Sequence, residues 1–157
     1  MKRILVTGIA LACLSAPRVA HASDWIASGP DNRTKIVAGA CVSESHTSEG
    51  PIGSELSKRT TPYYCDRAMV TEYRDGRIMF QTATSGTTPA DVIGFAGPLR
   101  PDRVDVNRIY LPGRSQLQGE GYCFFDSAGF ACVAKVDEGS HRTVASVTFH
   151  FAPGEGI

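Results

Sequence analysis

Apolar and polar residues alternate strictly over Ser146-Val147-Thr148-Phe149-His150-Phe151, placing Val147, Phe149 and Phe151 on one face of an extended chain. Successive strand side chains point to opposite sides, so this pattern predicts a half-buried β-strand. Arg77-Ile78-Met79-Phe80-Gln81 repeats it with Ile78 and Phe80. Arg103-Val104-Asp105-Val106-Asn107 alternates as well, and Ile109 and Leu111 then resume on the opposite parity. One extra residue near Asn107-Arg108 would return them to the same face, which predicts a β-bulge. Cys132, Ala134 and Val136 share a face, with Lys135 on the other.

Turn residues separate these runs. Asp75-Gly76 lies between two strand-like segments, as in a tight hairpin. Asp126-Ser127-Ala128-Gly129 has the aspartate and glycine that a type I turn favours at its first and fourth positions. Pro98, Pro101 and Pro112-Gly113 punctuate the middle. No stretch keeps a helical apolar period for three turns, and the best helix candidate is short, around residues 89–95. Residues 43–61 are polar, small and turn-rich, and long for a loop. Such a segment is functional or mobile, and a mobile hairpin insertion is the plainer reading. The expected fold is all-β and antiparallel, a small sandwich or a barrel-like meander.

The first residues follow a different rule. A basic start at Lys2-Arg3, an apolar run from Ile4 to Leu14 and the small residues Ala20 and Ala22 have the layout of a secretory signal peptide over residues 1–22, with cleavage before Ser23. The apolar run is about half the roughly 20 residues a membrane-spanning helix needs. The expected mature chain, residues 23–157, is one periplasmic or secreted domain without a transmembrane segment. Losing Lys2, Arg3 and Arg18 takes sixteen basic residues to thirteen against sixteen acidic ones, a formal charge near −3. That balance argues against nucleic acid, which calls for a clustered basic surface.

An oxidising compartment turns cysteines into staples. Of five, Cys13 falls in the leader, where lipidation after cleavage at that residue is the alternative to an ordinary leader position. Cys41, Cys65, Cys123 and Cys132 remain, enough for two disulfides in three arrangements. A weak internal duplication selects one. Cys41, a loop, Cys65 and Ala68-Met69-Val70-Thr71-Glu72 align with Cys123, a loop, Cys132 and Ala134-Lys135-Val136-Asp137-Glu138, given a one-residue gap. The expected bridges are Cys41–Cys65 and Cys123–Cys132, each within its own hairpin. With a turn at residues 126–129, Cys123 and Cys132 fall opposite each other, where Cβ atoms about 4.5–5.5 Å apart need only slight adjustment to bond.

Candidate chemistry is sparse. His46, His141 and His150 show no metal-ligand spacing, so no metal and no cofactor is expected. No nucleophile elbow of the Gly-x-Ser-x-Gly kind occurs, and four paired cysteines leave no thiolate. No catalytic residue is assigned. Scattered carboxylates leave a glycosidase-like acid pair as an open reading, with Glu72 and Glu138 at matching positions of the duplication. The binding candidates are Tyr63 and Tyr64 beside the Cys65 bridge, and His46 in the polar loop. Tyrosines give contact area at low entropic cost.

Tyr73-Arg74-Asp75-Gly76-Arg77-Ile78-Met79-Phe80, Thr88-Pro89, Leu99-Arg100-Pro101-Asp102, Leu111-Pro112 and Gly121-Tyr122-Cys123 resemble the VirK family of small secreted proteobacterial proteins. The likeness covers about residues 35–125; Cys65 and the chain after Phe125 depart from the pattern. Two cysteine pairs and the late Cys132-Val133-Ala134 run are similar to the invasion-associated IalB family, with the last two cysteines further apart here. Both resemblances imply export and a host-associated setting, and neither supplies a site residue. The expectation is an exported non-enzymatic protein that binds a protein or envelope component. An inhibitor of a secreted hydrolase such as lysozyme, presenting residues 43–61, and a small glycosidase-like enzyme are the alternatives.

Overall fold

A computed structural model of the chain describes residues 26–27, 29, 32–86, 91–114 and 116–157. The leader, Cys13 and the expected cleavage point lie outside the described residues. The described residues are mostly β: β1 (Ile26–Ala27), β2 (Asn32–Cys41), β3 (His46–Pro51), β4 (Thr60–Pro62), β5 (Arg67–Tyr73), β6 (Arg77–Ala83), β7 (Ile93–Pro98), β8 (Val104–Tyr110), β9 (Leu117–Phe125), β10 (Gly129–Glu138) and β11 (His141–Phe151), with a short 3-10 turn at Leu56–Lys58.

From β5 to β11 each strand pairs antiparallel with the next. β2 pairs with β5 along one edge and with β11 along the other, Cys41 facing Phe149 and Gly39 facing Phe151. That second pairing closes the sheet into a barrel. β3 continues the line of β2 along β11, His46 facing Ser146 and Pro51 facing His141. β4 likewise precedes β5 in line and pairs with β3. β2 with β3 makes one stave, β4 with β5 a second, and β6 to β11 six more, so the barrel has eight. An eight-stranded barrel has an interior just wide enough for side chains to fill.

Inward-facing apolar side chains, some of them marked by the predicted alternation, supply that filling. Val37, Val70, Ile78, Phe80, Ile93, Phe95, Val104, Val106, Ile109, Val147 and Phe149 all turn inward and are buried. The β8 bulge falls where parity required it, between Val106 and Arg108, and keeps Ile109 and Leu111 inside. Asp75-Gly76 turns β5 into β6, with Gly76 in the left-handed region at φ 80°. Asp126 closes the β9–β10 hairpin: its amide donates to the Gly129 carbonyl at 3.0 Å, and its Oδ1 accepts from Ala128 N at 2.7 Å.

Both disulfides form as the duplication required. Cys123 and Cys132 are direct register partners, Cα atoms 4.0 Å apart, and both are buried in the barrel. Cys41–Cys65 joins β2 to the lead-in of β5, Cα atoms 5.0 Å apart, below the β3–β4 excursion. The matching positions also behave alike. Ala68 and Val70 face inward as do Ala134 and Val136, and Glu72 and Glu138 each pair with an arginine, Arg33 and Arg114.

Two expectations need correction. Among the described residues of the 89–95 helix candidate, Asp91 is in a 3-10 conformation, whereas Ile93, Gly94 and Phe95 begin β7. Their alternation is masked because β7 is buried on both faces, and continuous burial erases the period that marks a strand. Residues 43–61, expected as a loop, instead hold the strand β3, a 3-10 turn and the start of β4, and the two strands pair as a hairpin. A bulge at residues 42–45 replaces ladder bonds with a side chain: the buried Ser45 hydroxyl donates to the Thr148 carbonyl at 3.2 Å and accepts from Thr148 N at 3.1 Å.

Candidate functional site

The two barrel ends are built from different residues. At the end holding the β9–β10 turn, phenylalanines fill the interior: Phe130 stacks on Phe80 at 4.6 Å and on Phe149 at 5.4 Å between ring centroids. At the other end, the inward positions of β3, β4 and β11 are hydroxyls and charges. Thr143 of β11 faces Glu49 of β3, and Thr47 of β3 faces Thr61 of β4. Directly opposed residues share a sheet face, so Thr47, Glu49, Thr61 and Thr143 line the mouth together.

The mouth is a cup of about 210 Å³. Ile93, Leu111 and Tyr63 form its floor, and Thr47, Glu49, Thr61, Arg114 and Thr143 its walls. Tyr63 is fixed by three hydrogen bonds. Its hydroxyl donates to the Thr82 carbonyl at 2.6 Å and accepts from Thr82 Oγ1 at 3.2 Å and Ile93 N at 3.4 Å. Burial pushes its pKa up, against the opposing effect of those bonds, so the phenol stays neutral in ordinary conditions.

Arg114 crosses the cup from the β8–β9 connection. Its guanidinium donates to Glu49, to Glu138 at 2.7 Å and to Thr143 Oγ1 at 3.4 Å. The hydrogen bond to Glu49 is the main reason its pKa is raised, with partial burial opposing. Two carboxylates therefore converge on one cation, and the triad carries one net negative charge. The β10–β11 turn anchors the β3–β4 tip, since Ile52 N donates to the Ser140 carbonyl at 2.8 Å. Ser54 and Arg59 also close turns within the tip, on Pro51 and Leu56.

Of the three sequence-predicted binding residues, the structure brings only Tyr63 to the cup. Tyr64 points away and is 70% exposed. His46 sits on the outer face of β3 opposite Ser146, its Nδ1 2.6 Å from the Glu44 carbonyl oxygen. His150 is exposed on the outer face of β11, and His141 opens that strand beside its turn. Glu49, Glu138 and Arg114 were missed as a group because three separate segments bring them together. The one available signal was Glu138, already singled out by the duplication.

A second surface feature lies on the outside of β9. Tyr122 and Phe124 are about half exposed, with ring centroids 5.3 Å apart. Comparison with protein-family models, curated proteins and solved structures finds no match. The two disulfides fit an oxidising, extracytoplasmic environment.

Proposed function

We propose that this is an exported, non-catalytic protein that binds a protein or envelope component through the cup end of its barrel, with host interaction as its setting. One observation carries the reading. The barrel interior is filled by its own side chains, so recognition falls to the polar cup and the braced β3–β4 tip at the mouth. A rigid scaffold presenting a concave, polar-rimmed end limits the ordering cost of association. The carboxylates argue for binding over catalysis. A glycosidase pair must flank a scissile bond with both carboxyls free to reach it, whereas Glu49 and Glu138 both pair with the one guanidinium of Arg114.

The test is partner capture from the envelope fraction of the producing cell, and from host extracts, with two variants as controls. Thr61→Arg fills the cup rim; Phe124→Ser changes the outer face of β9. A partner lost with Thr61→Arg and retained with Phe124→Ser supports the reading. The reverse moves the site to β9. Substrate turnover that disappears in Glu138→Gln would overturn the non-catalytic assignment.

Inhibition of a secreted hydrolase is the second reading. It is favoured by the tip at residues 52–59, whose backbone is pinned to residues 51, 56 and 140 as a rigid inhibitory loop would be. It predicts a one-to-one complex with lysozyme or a protease and loss of that enzyme's activity. Unchanged activity at high excess of the protein counts against it.

A further inference from the structure

Resting on the cup as the recognition site, we propose that its ligand is a basic side chain, a lysine or arginine of a partner protein, inserted through the rim toward Glu49. Size comes first. Pockets that enclose a whole drug-sized molecule span about 300–1,000 Å³. At about 210 Å³ this cup is below that range, and it suits a single long side chain. Interfaces commonly concentrate their energy in one such anchor held in a fitted pocket.

Charge selects the kind of side chain. Glu49 on the cup wall and Glu138, just outside it on Arg114, set two negative charges against the one guanidinium. The surplus favours a cation and disfavours an acidic anchor. Arg114 also shows that Glu49 accepts a guanidinium in this setting. The floor completes the match: Ile93 and Leu111 offer apolar surface to a methylene stem, while Thr47 and Thr61 surround the head group with hydroxyls. Long basic side chains bury stem and head in this divided way.

The rival assignment is an anion held by Arg114, and one substitution separates the two. Removing Arg114 takes a competing cation out of the cup and enlarges it. A basic ligand should then bind more tightly, whereas an acidic ligand should be lost. The probes are N-acetyl-lysine methylamide, its uncharged counterpart N-acetyl-norleucine methylamide, and N-acetyl-glutamate methylamide, each titrated into isotope-labelled protein and followed by amide chemical shifts.

The lysine probe should move amides near residues 47–49, 61–63, 111–114 and 143, saturate in the millimolar range and weaken with added salt. Arg114→Ala should tighten it by about two- to fivefold, the effect of removing one partly exposed like charge. Glu49→Gln should weaken it, and Thr61→Arg should abolish it. Arg114 and Glu49 are both partly exposed, so these variants leave the barrel core intact; Thr61→Arg serves if one of them fails to fold. Equal shifts with norleucine, no saturable shifts with lysine, or binding of glutamate that disappears in Arg114→Ala would each overturn the proposal. If the probes fail while the partner complex still depends on Thr61, the ligand class is wrong and the cup remains the site. If both fail, the cup reading itself falls.

Discussion

One end of this barrel is filled with rings and the other is lined with hydroxyls and charges. Phe80, Phe130 and Phe149 stack through the first, with Phe151 edge-on to Phe149 at 6.0 Å. Thr47, Thr61, Thr143, Glu49 and Arg114 line the second. β11 runs the whole way, and along it the inward residues change from Thr143 through Ala145 and Val147 to Phe149. A single strand thus grades from polar to aromatic. Burying a large ring contributes stability in proportion to its area, whereas a half-exposed ion pair contributes little. The ring end therefore holds the fold, and the cup end is free to be used for recognition.

The largest break in that comparison should come from Phe149→Ala. It removes the fully buried ring that stacks on Phe130 and should cost about 3–5 kcal/mol in denaturant unfolding. A loss below about 1 kcal/mol would mean that the ring end is not the fold's anchor. Replacing Cys41 and Cys65 together by alanine should cost about 2–4 kcal/mol. Its separation of 24 residues against 9 for the other bridge predicts the larger chain-entropy contribution. Hydrogen exchange should then loosen β3 and β4 ahead of the ring end.

Tyr63→Phe sharpens the contrast at the cup floor. It removes the partner of the Thr82 carbonyl and Ile93 N, and should cost about 1–3 kcal/mol if water does not replace the hydroxyl. Arg114→Ala should change stability by less than about 1 kcal/mol while changing binding, which separates the two ends by readout.

The smallest effect concerns acid. Hydrogen bonds from Arg103 and Arg100 hold the Asp105 carboxyl below its ordinary value of 3.8, and the Arg142 guanidinium does the same for Asp137. A depressed folded pKa means that the ionised form stabilises the fold. That contribution is present above the ordinary value and fades as pH falls through the folded one. Asp105→Asn should lower stability slightly at neutral pH, and the difference from the parent protein should vanish as pH falls below 3.8. An equal loss at all pH values would assign Asp105 a packing role instead.

Much of the ring end was legible in the sequence, because its chemistry is local. Alternation marked β6, β10 and β11, parity located the β8 bulge, and Asp-Gly and Asp-x-x-Gly marked the turns. The disulfide pairing followed from a repeated motif. The cup was illegible for a physical reason. β3 turns Thr47 and Glu49 to the cup and Ser48 and Gly50 to its other face, which is also buried, so no contrast in polarity reports its strand period. Its strand character comes from pairing with β11, roughly a hundred residues away. Tyr63 was identifiable only through its neighbour Cys65, and Arg114 carried no signal at all.

The seam between β2 and β11 sets the order in which this molecule can be completed. Gly39 sits there because a Cβ would lie 2.1 Å from the His150 carbonyl oxygen and 2.6 Å from the Phe149 ring. The seam joins residues 39–41 to residues 149–151, near the two extremes of the described barrel. Every other stave pairing from β5 onward joins consecutive strands and can form as the chain appears. Closure alone must wait for the final strand, a long-range step with a large loop-entropy barrier. A chain emerging amino-terminus first would carry that stretch of β2 edge unpaired until β11 arrived, and only then become a barrel.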